Sequence, residues 1–293
     1  MNLLLTVLEI VAPVFILASI GYVWVKLGFD YRIEFVTRLA MTLSVPCLIF
    51  VALMQTTIAP DALATVFMAT IATYALITIG CYLLVKFGKL DMRTYLAPLI
   101  FGNTGNLGLP LALFAFGEQG LGYAVVIFAM MGIYSFTFGV WLVSGGGSLR
   151  KVVQEPLVGA TLLGALFLWQ GWETPTFLTN TIELIGQMAI PLMLITLGVA
   201  VARLTPGSVS RAIWLSLVKV VLCIAAGWAV GTYFELPHVA LAVLILQVST
   251  PVAVTSYLLA AKYEADADPV AGLVVVSTLM SVGFIPLTLA FLI

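Results

Sequence analysis

The sequence predicts an all-α integral membrane protein with ten transmembrane helices, arranged as two inverted five-helix repeats. Three observations indicate this fold class: the composition, the alternation of basic and acidic connections, and prolines at matching places in the two halves. Of the 293 residues, 62% are hydrophobic and 9% are charged. Soluble proteins carry about 25% charged residues, so this chain lacks the polar residues that would cover a water-facing surface.

Ten apolar stretches are long enough to cross a bilayer, which takes about 20 residues in a helix. The N-terminal stretch lacks a basic region and a small-residue cleavage site, so we interpret it as a span and not as a signal peptide. The cysteines show no disulfide or metal-binding spacing, and no cofactor is expected. The predicted spans cover residues 5–25, 36–57, 62–87, 94–117, 121–144, 155–172, 177–202, 209–234, 238–262 and 269–293.

The basic residues predict the orientation of the chain. Every Lys and Arg except Lys219 falls at a connection on one side of the predicted membrane, including Arg150 and Lys151 between spans 5 and 6. The alternate connections contain acidic residues and no Lys or Arg. By the positive-inside rule, both termini lie outside a multi-pass protein of the inner, cytoplasmic membrane.

Prolines recur at matching places in the two halves. Pro46 in span 2 matches Pro191 in span 7, and Pro110 in span 4 matches Pro251 in span 9. Because each half has an odd number of spans, the second copy is inserted upside down. Inverted repeats with interrupted helices are typical of secondary transporters, whose substrate site lies at the interruptions. The first repeat is predicted over residues 1–145 and the second over residues 152–293.

The stretch FGNTGNLGLP interrupts span 4. Glycines lower helix propensity, and proline removes a backbone donor. In lipid, such a break is stable only where protein or water satisfies the freed backbone groups. Asn103 and Asn106 are three residues apart, so a helical turn places both amides on one face. We predict that they contact the substrate; the alternative is that they only satisfy the broken backbone. Gly105, Gly108 and Pro110 are predicted as structural residues of the break.

The stretch LQVSTPVAVTSY interrupts span 9 in a similar way. Ser249 or Thr250 is predicted to cap the new half-helix, with Pro251 as a structural residue near its first turn. Thr255 adds a hydroxyl about one turn further along. The three hydroxyls are predicted to contact the substrate, with a purely structural capping role as the alternative.

Charge indicates the class of substrate. Each half-helix N-terminus carries roughly +0.5 charge, so two of them offset one carboxylate. No Asp, Glu, Lys or Arg lies within either break. We therefore expect a secondary carrier of small organic anions, carboxylates in particular. Export would be driven by the membrane potential, which is worth about 2.3 kcal/mol per charge per 100 mV.

Lys219 lies about 15 Å deep in span 8 and is predicted as a further substrate contact. A dicarboxylate would need one more positive group than two half-helices provide. The alternative is a lysine that bonds to a backbone carbonyl or faces a wet crevice.

Other functions remain open. A sodium- or proton-coupled importer of carboxylates would use sodium bound by carbonyl and hydroxyl oxygens, or the acids Glu9 and Glu183 near the outer face. An intramembrane enzyme would need paired Asp, a Ser/His pair or a metal motif, and the sequence shows none of these. A receptor that kept a transporter fold would bind the same ligand without moving it. Nothing indicates a nucleic-acid partner.

The sequence resembles the auxin efflux carrier family at GNTGNLGLP and STPVAVTSY. This is the bacterial branch that is related to plant PIN carriers and to malonate and malate carriers. The resemblance covers essentially all ten predicted spans. Its most specific part is the pattern of Asn103, Gly105, Gly108 and Pro110.

The resemblance implies a fold similar to that of bile acid:sodium symporters. Spans 1, 2, 6 and 7 would form a scaffold, and spans 3–5 and 8–10 a transport domain that moves like an elevator. Spans 4 and 9 would cross at Pro110 and Pro251, and the scaffold would form a homodimer. The symporters have an acidic residue near the span 9 crossing. This sequence has Ser249 and Thr250 there, so the sodium sites of that family are not expected.

Overall fold

The computed structural model describes residues 3–144, 156–204 and 209–293, which form helices and short connections. Seven helical segments of this part of the chain are long and apolar enough to cross a membrane. A multi-pass, all-helical membrane protein is therefore confirmed, whereas the count of ten spans stays a prediction. The seven segments are Leu5–Lys26, Ile33–Met54, Pro60–Phe87, Thr104–Ser144, Thr176–Arg203, Val209–Tyr233 and Ala267–Leu292.

Residues 3–144 form α-helices that are joined in three places by short π-helical turns. The turns are Ala40–Ser44, Thr104–Gly108 and Ser135–Gly139. The α-helices are α1 Leu3–Lys26, α2 Ile33–Leu39, α3 Val45–Met54, α4 Pro60–Phe87, α5 Met92–Ile100, α6 Leu109–Tyr134 and α7 Val140–Ser144.

The rest of the described chain forms a second series of helices. Two of them, α8 and α12, are apolar but shorter than the seven segments above. The series comprises α8 Pro156–Gln170, α9 Thr176–Gln187, α10 Ala189–Arg203, α11 Val209–Tyr233, α12 His238–Val248, α13 Val254–Lys262 and α14 Ala267–Leu292. The predicted basic connection at Arg150 and Lys151 lies outside the described residues, as does the predicted boundary between the repeats.

Helix α6 is two helices that meet at Gly117. This glycine has φ 62° and ψ −155°, a conformation that only glycine adopts readily. The sequence predicts the end of span 4 at this residue. The change of direction here explains why a single 41-residue helical segment, Thr104–Ser144, covers the stretch of two predicted spans.

Residues with a positive φ angle follow helices at corresponding places in the two series. Each of the six that the described chain contains lies at or just past the end of a helix. They form three pairs in chain order: Gly28 with Gly171, Lys89 with Glu235, and Gly117 with Glu264. The first two pairs also share a hydrogen bond from the following residue back to a carbonyl five residues earlier, as in a Schellman motif.

The helices pack in two groups. One group contains α1 against α10, and α3 against α8 and α9. The other contains α11 against α4, α12 and α14, together with α6 against α12. Within the first group, Gly21 and Gly198 let α1 and α10 approach so closely that a Cβ atom on either glycine would overlap the backbone of the other helix.

Candidate functional site

The two interrupted helices meet at their breaks. Between α5 and the π-helical turn, residues 101–103 are extended, and residues 251–253 before α13 lie antiparallel to them. The Asn103 N–H donates to the Pro251 carbonyl oxygen at 2.7 Å, and the Ala253 N–H donates to the Phe101 carbonyl oxygen at 3.3 Å. Each break therefore satisfies backbone groups of the other, as a bilayer interior requires.

Glycines allow this close approach. A Cβ atom on Gly102 would overlap the Thr250 hydroxyl, and one on Gly108 would overlap the Gln247 side-chain oxygen. Gly105 faces Phe128 of α6 and Met193 of α10. The three glycines of the motif thus act mainly through packing, because none of them has a left-handed backbone.

The break in span 4 lies earlier than the sequence predicts. Pro110 is near the start of α6, and the chain is already coiled from Thr104 onward. The break itself is the extended segment 101–103, so the crossing is at Gly102 and Val252, not at Pro110. Pro110 is tolerated inside the coil because its missing N–H falls where the π-helical turn passes into α6.

The hydroxyls before α13 also differ from their prediction. The Ser249 hydroxyl donates to the Leu246 carbonyl at 3.1 Å, and the Thr250 hydroxyl donates to the Gln247 carbonyl at 2.7 Å. Both hydroxyls therefore close the C-terminus of α12 and do not cap α13. The residue that precedes α13 is Ala253, which has no side-chain cap.

The two asparagines have different environments. Asn103 is 5% exposed, and its Nδ2 has no hydrogen-bond partner among the described residues. Asn106 is half-buried, and the described structure gives its side chain no hydrogen bond. Asn103 precedes the first turn of the π-helical segment without capping it by its side chain. The break of span 4 therefore presents amide groups that a ligand could use.

Thr255 and Lys219 differ in how deeply they are buried. Thr255 is exposed on α13. Lys219 is 1% exposed, and its Nζ donates to the Thr250 carbonyl oxygen at 2.8 Å. The structure thus places Lys219 beside the second break, and Lys219 is not among the residues that line the cavity of about 640 Å³ described below.

Three polar residues belong to the site although the sequence assigned them no sharp role. Gln247 is fully buried, and neither atom of its amide has a partner among the described residues. The Thr104 hydroxyl is likewise buried and unpartnered. Ser277 of α14 accepts a hydrogen bond from the Val252 N–H at 3.0 Å. A lone amide in an apolar span was a usable signal for Gln247, whereas the role of Ser277 depends on a contact between distant parts of the chain.

A cavity of about 640 Å³ lies between the two groups of helices. Its walls come from α3, from α6 around Gly117, and from α9 and α10. At its polar edge the Gln55 amide donates to Glu183 Oε1 at 2.6 Å, and Glu118 contributes a second carboxylate. Leu113 in its wall is about two turns along the coil from Asn106. The cavity therefore approaches the first break, on the side where we predict the outer surface.

Apolar helices with paired interruptions are the architecture of membrane transporters. Residues 6–147 and 141–289 match the model of a family described as "Membrane transport protein". The chain belongs to this family, which is the one that its resemblance to auxin efflux carriers indicated. It is a family of transporters and not of enzymes. The prediction that the protein is not an enzyme is therefore confirmed.

Relatives of known sequence have transporter names. An "Uncharacterized transporter" of Methanothermobacter thermautotrophicus is 28% identical over 296 residues, which cover 95% of this chain and 96% of that protein. A second one, of Methanocaldococcus jannaschii, is 24% identical over 62% of each chain. A protein of Rhizobium meliloti with the name "Putative malonate transporter" is 24% identical over 62% of this chain and 61% of its own length.

Proposed function

We propose that the protein is a secondary carrier of small organic anions, in particular carboxylates. The observation that carries this proposal is the meeting of two helix breaks beside unpartnered amide groups. Two helices begin at this place without a side-chain cap, after Asn103 and after Ala253. Uncapped N–H groups and the positive end of a helix dipole both favour a carboxylate.

Within the predicted set of substrate contacts, we assign the main role to Asn103 and Asn106. Asn103 has free donor capacity, and Asn106 has partial exposure. The Thr250 and Ser249 hydroxyls are already bonded to α12, so their contribution is to hold the backbone in place. Thr255 would contact the substrate only from its exposed position on α13.

The name of the Rhizobium meliloti relative refers to malonate, a dicarboxylate. Two half-helix N-termini offset roughly one negative charge. A dicarboxylate would thus leave one charge to be met by amide donors or by a proton. We therefore expect both mono- and dicarboxylates as candidates, with the second carboxylate bound through the asparagine amides.

The packing of the helices supports an elevator-like mechanism. Helices α1, α3, α8, α9 and α10 correspond to the predicted scaffold, and they pack mainly on one another. The crossover belongs to the other group, and the cavity of about 640 Å³ separates the two. The paired left-handed helix ends support the two inverted repeats. We propose that the second group carries the substrate past the scaffold, which forms the homodimer contact.

We propose net export, because an anion that leaves a negative-inside cell moves down the electrical potential. Neither break contains a carboxylate that would bind a coupling ion. The alternative is import coupled to sodium or protons, for which the outer cavity offers two acids, Glu183 and Glu118. The two differ in their dependence on sodium, pH and membrane potential.

Uptake by proteoliposomes tests the proposal. Labelled mono- and dicarboxylates are offered with an imposed potential of either sign, with and without sodium. Asn103→Ala and Asn106→Ala should each lower uptake at least tenfold, a change of about 1.4 kcal/mol in the relevant free energy. Asn180→Ala, a change of the same residue type at an exposed position of α9, is the matched control and should transport normally. Wild-type rates in both asparagine variants would refute the site.

A further inference from the structure

Lys219 is a buried lysine in α11 whose charge has no carboxylate partner among the described residues. Its side chain is 1% exposed, and its hydrogen-bond acceptor is a backbone carbonyl, that of Thr250. An ammonium in such a place is unfavourable unless the surrounding backbone stabilises it.

The C-terminus of α12 supplies that stabilisation. A helix C-terminus carries roughly −0.5 charge on its unpaired carbonyls. Two of the last carbonyls of α12, those of Leu246 and Gln247, accept hydrogen bonds from the neighbouring hydroxyls. The Thr250 carbonyl, two residues past the end of α12, accepts from Lys219 instead. The ammonium thus lies at the electronegative end of an interrupted helix, away from water.

This position is of the kind that a coupling cation takes in transporters with interrupted helices. There, unwound carbonyls and half-helix C-termini coordinate sodium or a proton carrier. We propose that the Lys219 ammonium is a built-in cation that occupies this position permanently, so that the protein binds and moves its substrate without sodium. Lys219 is then a positioning residue for the second break and makes no contact with the substrate.

Within the described residues, the helix that precedes the first break has no equivalent of this lysine. Helix α4 precedes the first break as α11 precedes the second, and its basic residue is Lys86 in the last turn. The break at Phe101–Asn103 therefore has no ammonium from α4 at the corresponding depth. The tethered charge is a feature of one break only, which agrees with a single cation position at the crossover.

The test compares two variants of the full-length protein. Lys219→Met keeps the length and apolar character of the stem but removes the charge. Lys219→Ala removes three carbons and the amine, a fragment equivalent to n-propylamine. Transport in proteoliposomes and thermal unfolding in detergent are measured for both, in sodium, potassium and choline salts. The Ala variant is also measured with n-propylammonium and with 1-propanol, its neutral counterpart in size.

We expect wild-type transport within twofold in all three salts, and at least a tenfold loss in Lys219→Met although it still folds. We expect the Ala variant to regain transport and thermal stability with n-propylammonium, or with sodium, but not with 1-propanol. Sodium dependence of the wild type, normal transport by the Met variant, equal rescue by 1-propanol, or rescue by no cation would each overturn the proposal.

The transport measurements rest on the proposed function, whereas the thermal unfolding measurements do not. If the protein carries no carboxylate, the uptake assay fails for the wild type as well. The salt dependence of unfolding, and its rescue by n-propylammonium in Lys219→Ala, still decide whether a cation belongs beside Thr250. The two failures are thereby distinguishable.

Discussion

The two helix breaks differ in what their polar groups do. In the break at residues 101–103, the Asn103 amide nitrogen and the nearby Thr104 hydroxyl have no partner within the described structure, and Asn106 is partly exposed. In the break at residues 249–253, the hydroxyls bond to α12, the Thr250 carbonyl bonds to Lys219, and the Val252 N–H bonds to Ser277. The first break has spare hydrogen-bonding capacity, whereas residues 249–253 are internally satisfied. Among the described residues, the unpartnered amide next to them is that of Gln247 in α12, which faces Gly108 of the first break.

This difference assigns substrate recognition to the first break and support of the fold to the second break. Buried polar groups without partners are unfavourable, and proteins retain them where a ligand or water completes them. Fully bonded groups fix one conformation. We therefore expect changes in the first break to alter substrate binding, and changes in the second break to alter stability. There are two exceptions. Both properties depend on the contact between the two breaks, and the charge of Lys219 is proposed to support transport from the second break.

Gly102→Val should have the largest effect, because the added side chain disrupts the contact between the two breaks. A side chain at residue 102 overlaps the Thr250 hydroxyl and approaches the Thr250 carbonyl. Overpacking of this kind costs about 1–3 kcal/mol or more, and here it also separates the paired backbones. We expect little folded protein, measured as the monodisperse fraction in size-exclusion chromatography.

Two controls identify the cause of that loss. Gly283→Val adds the same side chain to α14 at a glycine with open space around it, and should fold normally. Gly102→Ala should be less harmful in a Thr250→Ala background than alone, because the overlapping hydroxyl is then absent. Independent, additive effects of the two substitutions would argue against the contact.

Ser277→Ala should have an intermediate effect. It tests whether the second break contributes to stability and not to substrate binding. It leaves the Val252 N–H without its acceptor in a buried place. An unsatisfied buried donor costs about 1–3 kcal/mol, so the thermal midpoint should fall. Substrate affinity per folded molecule should stay within twofold of wild type. A large loss of affinity with normal stability would mean that the second break also recognises substrate.

Thr255→Ala should have the smallest effect of these substitutions. The side chain is exposed on α13, and surface changes without partners usually stay within about 0.5 kcal/mol. Transport and thermal stability should both match wild type. A clear loss of transport at unchanged stability would restore Thr255 to the substrate site, as its sequence position predicts.

The class of the protein follows from the amino-acid sequence alone. The scarcity of charge and the length of the apolar stretches leave no alternative to membrane helices. The motif GNTGNLGLP identified the family, which the match over most of the chain confirms. Asn103 was identifiable as a polar residue of the break as well, because an amide among glycines stands out in an apolar span, and its contact with the substrate stays a prediction. These features are local, and the bilayer acts on each of them in the same way.

The place where the breaks meet, and the groups that remain free there, depend on how the helices pack. Pro110 was the strongest local signal, yet the crossing is at Gly102, because the antiparallel partner segment 251–253 satisfies the backbone there. Ser249 and Thr250 carry the residue types of an N-cap, but their hydroxyls bond to the preceding helix. The partners of Lys219 and Ser277 lie more than twenty residues away in the chain. A hydrogen bond between distant segments depends on how the helices pack, and no local pattern encodes that.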